Sequence, residues 1–389
     1  MNRGQTGKYI TISTAGENCS AFIPNPLPPD PEIKINAELH DLSDNALWAL
    51  GQLDGLTKIL PESSLFLYMY VHKEAVLSSQ IEGTQSSLSD LLLHESEELP
   101  GVPGDDDVQI TSNYIAAMNH GLDRVRQNFP ISSRLIREIH EVLLSRGRGS
   151  DKNPGEFRRS QNWIGGTRPG NARFVPPPPE FIAEGMSNLE KYIHNDPVST
   201  PTLLKAAISH VQFETIHPFL DGNGRLGRLL ITLLLCSERK LRQPMLYLSL
   251  FFKTHREEYY KLLQRVRTDG EWKEWVEFFM TGVLETSNQA VDTARRLIKL
   301  FESDGEKIKK GGRRAGSALR AFNCLQNYPV STIKKIAKES GLSIPTVNRV
   351  LQSLIKMGIV REITDRRRNR RFVYDEYLKI LSEGTEPIG

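Results

Sequence analysis

Apolar residues return every three or four positions along most of the chain, the spacing that places them on one face of a helix. Leu42, Ala46, Leu50, Leu53 and Leu56 form one such stripe. Leu65, Leu67, Tyr68, Val71, Ala75 and Leu77 form a second, which is predicted to stop near Gly83. A polar, acidic loop from His94 to Asp107 follows, with further helices predicted over 111–126, 133–145, 180–194 and 202–215. Beyond His217 the stripe Leu229, Leu230, Leu233 and Leu234 resumes the pattern, and a last pair is predicted over 256–267 and 271–300. Two stretches depart from it. Thr and Ile alternate around Tyr9 to Ser13, but the prolines between Ile23 and Pro31 remove backbone donors and favour extended chain, so the first 35 residues read as an arm or linker. Between Gly149 and Pro179, short apolar runs flank a Gly/Pro/Asn-rich turn and predict a β-hairpin over Gln161–Pro176.

The pattern changes again near the C-terminus. Glu302 to Gly316 is charged and glycine-rich and reads as a boundary, with a linker over 301–316. Helices over 317–327, 332–340 and 344–356, then paired strands over 359–364 and 371–374, follow the order of a winged helix-turn-helix. Ala337, Gly341 and Val347 supply its small packed residue, its turn and a buried position. The expected architecture is mainly α: an N-terminal arm and helical region over 1–110, a helical core with a hairpin over 111–300, and a small α/β winged module over 317–389.

Composition narrows the class. The chain has 389 residues, 39% hydrophobic and 25% charged, enough to bury a substantial core. A net charge of +3 is too small for the whole molecule to act as a polycation, so any nucleic-acid contact must be local. Cys19, Cys236 and Cys324 are widely spaced and contain no CxxC pair, which argues against a disulfide framework or a thiolate zinc site. The opening residues are polar, and the run Leu229–Cys236 is far shorter than the roughly 20 residues needed to span a bilayer. A cytoplasmic protein with no membrane partner is expected.

The chemistry concentrates in His217-Pro-Phe-Leu-Asp-Gly-Asn-Gly-Arg-Leu-Gly-Arg228, a loop opening onto a helix N-terminus. Gly222-Asn223-Gly224 lets successive N–H groups turn toward one point, where the helix dipole adds positive potential. An oligophosphate suits that point. Arg225 and Arg228 add cations for its outer phosphates, Asp221 offers an oxygen to Mg²⁺, and His217 is left as a proton acceptor.

Together these residues resemble the signature of the Fic family, His-Pro-Phe-x-(Asp/Glu)-Gly-Asn-Gly-Arg-x-x-Arg. The end of the preceding helix, His210-Val-Gln-Phe-Glu-Thr-Ile216, the Gln161–Pro176 hairpin and the Tyr259-Tyr260 pair are similar to Fic counterparts too. The resemblance implies a Fic-type core that transfers AMP from ATP to a Ser, Thr or Tyr hydroxyl of a target protein, with loss of pyrophosphate. His217 would be the general base. Asp221 would hold Mg²⁺, and the nucleotide would lie along Gly222, Asn223, Gly224, Arg225, Leu226, Gly227 and Arg228. The hairpin corresponds to the family's flap, whose edge would take up the target protein as an added strand. Ile164 and Val175 are its candidates for contact with the nucleotide, or else they pack the hairpin onto the core. Tyr260 is a candidate adenine neighbour, although a tyrosine on an amphipathic helix suits an aromatic core equally.

Ser78-Ser-Gln-Ile-Glu82-Gly83 is similar to the family's inhibitory motif, (Ser/Thr)-x-x-x-Glu-(Gly/Asn). Ser78 and Glu82 share one helix face, and Gly83 suits the helix end. The resemblance implies that Glu82 pairs with Arg228 and blocks productive ATP binding. In the C-terminal module, Thr346, Asn348, Arg349 and Gln352 fall on the polar face of the recognition helix. Five arginines lie between Asp365 and Arg371, so DNA is one expected partner and a protein or second subunit, including a homodimer, the other. Two alternatives stay open: a transcriptional regulator using the core as a nucleotide sensor, and an enzyme moving a different nucleotide.

Overall fold

The computed structural model describes residues 6–56, 63–95, 106–312, 315–364 and 370–387. Arg313, Arg314, Arg366, Arg367 and Arg368 and the middle of the acidic loop lie outside them, and the side chain of Leu65 is not described.

Helices α7 (Thr202–Ile216) and α8 (Asn223–Ser237) form the centre, joined by the His217–Gly222 loop. Almost every residue of α7 is buried, including Lys205, His210 and Glu214. A helix enclosed on all sides belongs in the core of a bundle. Around it stand α1 (Ala37–Leu56), α2 (Ser63–Ile81), α3 (Leu88–Glu95), α4 (Asp106–Arg126), α5 (Ser133–Leu143), α6 (Ile182–Ile193), α9 (Ser249–Thr254), α10 (Arg256–Asp269) and the long α11 (Trp272–Lys309). Leu50 and Leu53 are buried where α1 lies along α11, while α2 packs on α4 and α9. The winged module follows as α12 (Ala315–Asn327), β3 (Val330–Thr332), α13 (Ile333–Ser340), α14 (Ile344–Lys356), β4 (Val360–Glu362), β5 (Arg371–Tyr374) and α15 (Asp375–Ser382). Its antiparallel sheet runs β3-β5-β4. Thr332 caps α13 by accepting from the Lys335 N–H at 3.2 Å, and Gly341, at φ +66°, makes the turn before α14. No described helix is long and apolar enough to cross a membrane, and all three cysteines are free.

Three expectations are corrected. The N-terminal arm contains a regular hairpin, β1 (Gly7–Thr14) and β2 (Glu17–Pro24), paired from Gly7↔Pro24 to Thr14↔Glu17. Its alternation wins over the prolines because they begin only where β2 ends. The Gln161–Pro176 hairpin is not a pair of strands but a single antiparallel bridge, Ile164↔Phe174, closed by a short 3₁₀ turn at Pro169–Asn171. Gly165 and Gly166, both at positive φ, break its first strand after one bridge. The linker expected over 301–316 is helical as far as Lys309, because α11 continues through Gly305. Asp304 and Ile308, one turn apart, are buried, and Asp304 accepts a hydrogen bond from Tyr374 of β5 at 2.8 Å. Packing on the winged module overrides the glycine's low helix propensity.

Candidate active site

The loop between α7 and α8 is shaped by its own polar groups. His217 caps α7 in the left-handed conformation (φ +48°), which swings the chain off the helix axis. The Asn223 side chain then clasps the backbone of Phe219, accepting from its N–H and donating to its carbonyl, both at 2.9 Å. Gly222, at φ +77°, is the N-cap of α8, so the free N–H groups of that helix open at the loop. Beneath the loop His140 stacks on Phe219 with ring centroids 3.7 Å apart. The Gly155 N–H donates to His140 Nδ1 at 2.9 Å, which leaves the proton on Nε2 to donate to the Asp221 carbonyl at 3.0 Å. Burial pushes the His140 pKa down to about 4, which keeps that tautomer neutral.

His217, Asp221, Gly222, Asn223, Gly224 and Arg225 line one cavity of about 110 Å³. Glu82 lines it too. Burial, then the Arg267 and Arg158 guanidiniums, push the His217 pKa down to about 3, so its imidazole is neutral and able to accept a proton. The Asp221 carboxylate is about one-third exposed to the cleft and stands 3.7 Å from Arg225, whose Nη1 is buried without a hydrogen-bond partner among the described residues. A buried unpaired guanidinium nitrogen is costly unless an anion meets it. Leu226 and Gly227 turn away from the cleft: Leu226 is in the core, and Gly227 lets α8 approach Glu214, Phe213 and His210, where any Cβ would collide with a Glu214 oxygen.

Arg228 is tied to α2 through its Nε and Nη2. Its Nε donates to Ser78 Oγ and its Nη2 to the Ser78 carbonyl, both at 2.9 Å, while Nη2 also meets Glu82 Oε1 at 2.8 Å. The carboxylate lies so close to the first turn of α8 that any Cβ at Gly224 would strike Glu82 Oε1. Although burial raises the Glu82 pKa, Arg228 outweighs it and holds the carboxyl below its ordinary range. Gly83, at φ +98°, ends the turn directly after it. An anion therefore occupies the positive end of α8, and the anion is the protein's own.

The flap is held by residues the sequence did not advertise. Arg158 donates to the His217 carbonyl at 2.9 Å, to Ser160 O at 3.2 Å and to Pro177 O at 2.5 Å, tying both feet of the flap to the histidine backbone. Arg267 donates to Thr215 Oγ1 and the Glu214 carbonyl and lies 4.0 Å over the Phe174 ring. The N-terminal hairpin closes one side: the Phe22 N–H donates to Val175 O at 2.9 Å, and Glu17 takes Arg168 and the Gly170 N–H. Val175 is thus buried with Cys19 and Ala21 under β2, which is the packing alternative for that residue. Ile164 is half-buried at the bridge. Tyr259 is core, accepting or donating at 2.8 Å with His210, whereas Tyr260 is 37% exposed, its ring tilted 55° to that of Tyr259 with centroids 5.1 Å apart. Burial, with Glu82 adding to it, raises the Tyr260 hydroxyl pKa.

Three regions of the chain match known families. Residues 130–235 match the Fic/DOC family, residues 40–123 the Fic/DOC family N-terminal region, and residues 317–361 a winged helix-turn-helix DNA-binding family. The chain thus carries a Fic/DOC region with that family's N-terminal region ahead of it. Among curated proteins it is 29% identical over 241 residues to the protein adenylyltransferase Fic of Drosophila yakuba, covering 61% of this chain and 44% of that one. With the protein of the same name from Aedes aegypti it shares 35% over 155 residues, covering 40% and 28%. The chain thus spans less than half the length of these relatives. Among solved structures, a Fic family protein from Desulfovibrio desulfuricans G20 superposes with a TM-score of 0.58 at 19% identity, over 88% of this chain and 97% of that one. A Fic domain containing signaling protein from Bacteroides thetaiotaomicron VPI-5482 gives 0.53 at 17% identity, over 64% and 97%. Both share the fold.

Proposed function

We propose that the Fic core is an adenylyltransferase that moves AMP from ATP to a hydroxyl of a target protein and is held inactive by Glu82. The observation that carries this reading is the pairing of a neutral His217 with the anion-binding N-terminus of α8 in one cleft. The hydroxyl oxygen attacks the α-phosphorus while His217 accepts its proton. The bond to the β-phosphate bridging oxygen breaks, and pyrophosphate leaves with Arg225 and Arg228 balancing its charge. His217 is available for this at neutral pH without first losing a proton. Asp221 fits a Mg²⁺ that enters with the phosphates, since such ions are commonly held by one or two carboxylates and the nucleotide itself. The ion would neutralise charge between the α- and β-phosphates. Likeness to curated adenylyltransferases supports AMP as the group moved.

The brake reading rests on space and charge. Small-molecule sites usually measure roughly 300–1,000 Å³, whereas the cavity beside Glu82 is about 110 Å³. A γ-phosphate would need the Arg228 that Glu82 and Ser78 hold. Target entry is proposed along the Asn162–Gly165 side of the flap, because β2 already covers Val175 on the other. DNA is proposed for the winged module, where Arg349 and Gln352 are exposed on α14.

Glu82→Gly is expected to raise self-labelling by α-labelled ATP and Mg²⁺ at least tenfold, within the range of allosteric coupling, and a further His217→Ala to abolish it. Mass spectrometry of the product should find one AMP residue per modified site. Equal labelling of wild type and Glu82→Gly would sink the brake, and labelling that survives His217→Ala would sink the assigned base.

A further inference from the structure

Helix α2 presents two faces to two different parts of the molecule. Ser78 and Glu82 face Arg228. Lys73 and Gln80, seven positions apart and so two turns along another face, meet the segment that follows α15. Gln80 is 1% exposed, and its Nε2 donates to the Ser86 carbonyl at 2.9 Å and the Thr385 carbonyl at 2.8 Å. Thr385 is itself 1% exposed and is folded back by its N–H and hydroxyl, both bonded to Ser382 O. Lys253 of α9 donates to the carbonyls of Gly384 and Glu386, and Arg296 of α11 clasps the Glu383 carboxylate at 2.6 and 2.7 Å. The buried Lys73 ammonium lies 4.7 Å over the Tyr247 ring, has no hydrogen-bond partner among the described residues, and has Glu383 and Glu386 as the carboxylates that act on it. Gly384, at φ +79°, sits so close to Leu250 of α9 that an added Cβ would come within 2.8 Å of its Cδ1.

The short segment is therefore plugged between α2, α9 and α11 and supplies a buried hydrogen bond to the residue two positions before Glu82. It is also the direct continuation of α15, which packs on α2, α3 and α11 and leads out of β5 of the winged sheet. Arg256 completes the support by donating to the Ile81 carbonyl at 3.2 Å.

We propose that Ser382–Glu386 is a latch: it seats the last turn of α2, so the winged module, which carries the latch, sets how firmly Glu82 holds Arg228. This rests on the reading of Glu82 as the brake. Gln80 and the latch are positioning residues, since neither touches the nucleotide site. When the latch leaves, Gln80 loses a buried acceptor, Lys73 loses its counter-charges, and the end of α2 loosens.

The test uses the full chain with Gly384→Val, which the left-handed backbone and Leu250 both reject, and the milder Lys253→Met. Each is made alone and together with Glu82→Gly, and self-labelling by α-labelled ATP is measured alongside amide exchange of residues 76–82. Each latch variant should raise labelling about 5- to 10-fold, the lower part of the usual coupling range. Exchange over 76–82 should quicken, and neither variant should add to Glu82→Gly. If Glu82→Gly activates but both latch variants label as wild type, or if they add to it, the latch is overturned. A latch variant that lowers labelling equally in both backgrounds has only a structural role, which also overturns it. If Glu82→Gly itself has no effect, the brake falls first and the latch with it.

Discussion

The His217–Gly222 loop and the flap touch, Arg158 donating to the His217 carbonyl and Asn162 to the Phe219 carbonyl, but are built by opposite means. The loop is largely self-made: Asn223 clasps Phe219 four residues away, Gly222 starts α8, and His217 ends α7. The flap has a single bridge of its own and depends on Arg158, Arg267 and a hairpin about 150 residues earlier. On the proposed reading, catalytic geometry is thus fixed mainly by bonds within the loop, with His140 and Arg158 in support, while target access is fixed by distant parts of the chain. The first can be precise while the second varies.

The largest effect should come from breaking the local device. Asn223→Ala removes both bonds to Phe219 and, in the Glu82→Gly background, should cut labelling about 100-fold, the usual cost of misplacing a reacting group by about an ångström. A loss below threefold would mean that the loop is held from outside, like the flap. Next, removing residues 1–24 deprives Val175 and Arg168 of their partners. Labelling of a protein target should fall about tenfold, again a typical coupling, while ATP affinity measured by calorimetry stays the same. An equal fall in ATP affinity would erase the distinction between the two regions. The smallest effect concerns the buried support of the loop. Burial raises the Glu214 pKa to about 7, against 4.5 for the free group, with nearby Arg228 working the other way. The folded state then holds this proton more tightly than the unfolded state, so its stabilising effect is complete below pH 4.5 and is lost as pH rises through 7. Glu214→Gln keeps the neutral form at every pH, and its Tm should gain on wild type by about 2 to 4 °C between pH 5 and 8, the scale of a change of a few kcal/mol in a chain of this length. A constant difference would place the carboxyl in a less enclosed site.

This contrast also explains what the sequence made legible. The helices were readable because each carries its apolar stripe within a few turns. Glu82 was readable because Ser78, Glu82 and Gly83 resemble the family's inhibitory motif; their shared helix end alone singles out no carboxylate. The β1–β2 hairpin was harder, since its turn places Ala15 at φ +49°, a conformation normally signalled by Gly, Asn or Asp. Arg158 and Arg267 gave no local signal: each is a basic residue in a charged stretch, and its role exists only once carbonyls from separate segments converge on it. The helix through Gly305 was hidden for the same reason, because the burial of Asp304 and Ile308 depends on the winged module.

That unbroken α11 has a consequence for how the two modules can diverge. Joined by a flexible tether, they would tolerate extra residues freely. Joined by one rod, a single residue inserted between Leu300 and Asp304 would rotate the winged module about 100° around the helix axis and advance it about 1.5 Å. Seven inserted residues would bring it back to within about 20° of its starting phase, one further step along the axis. Length changes at this junction are therefore counted in helical turns.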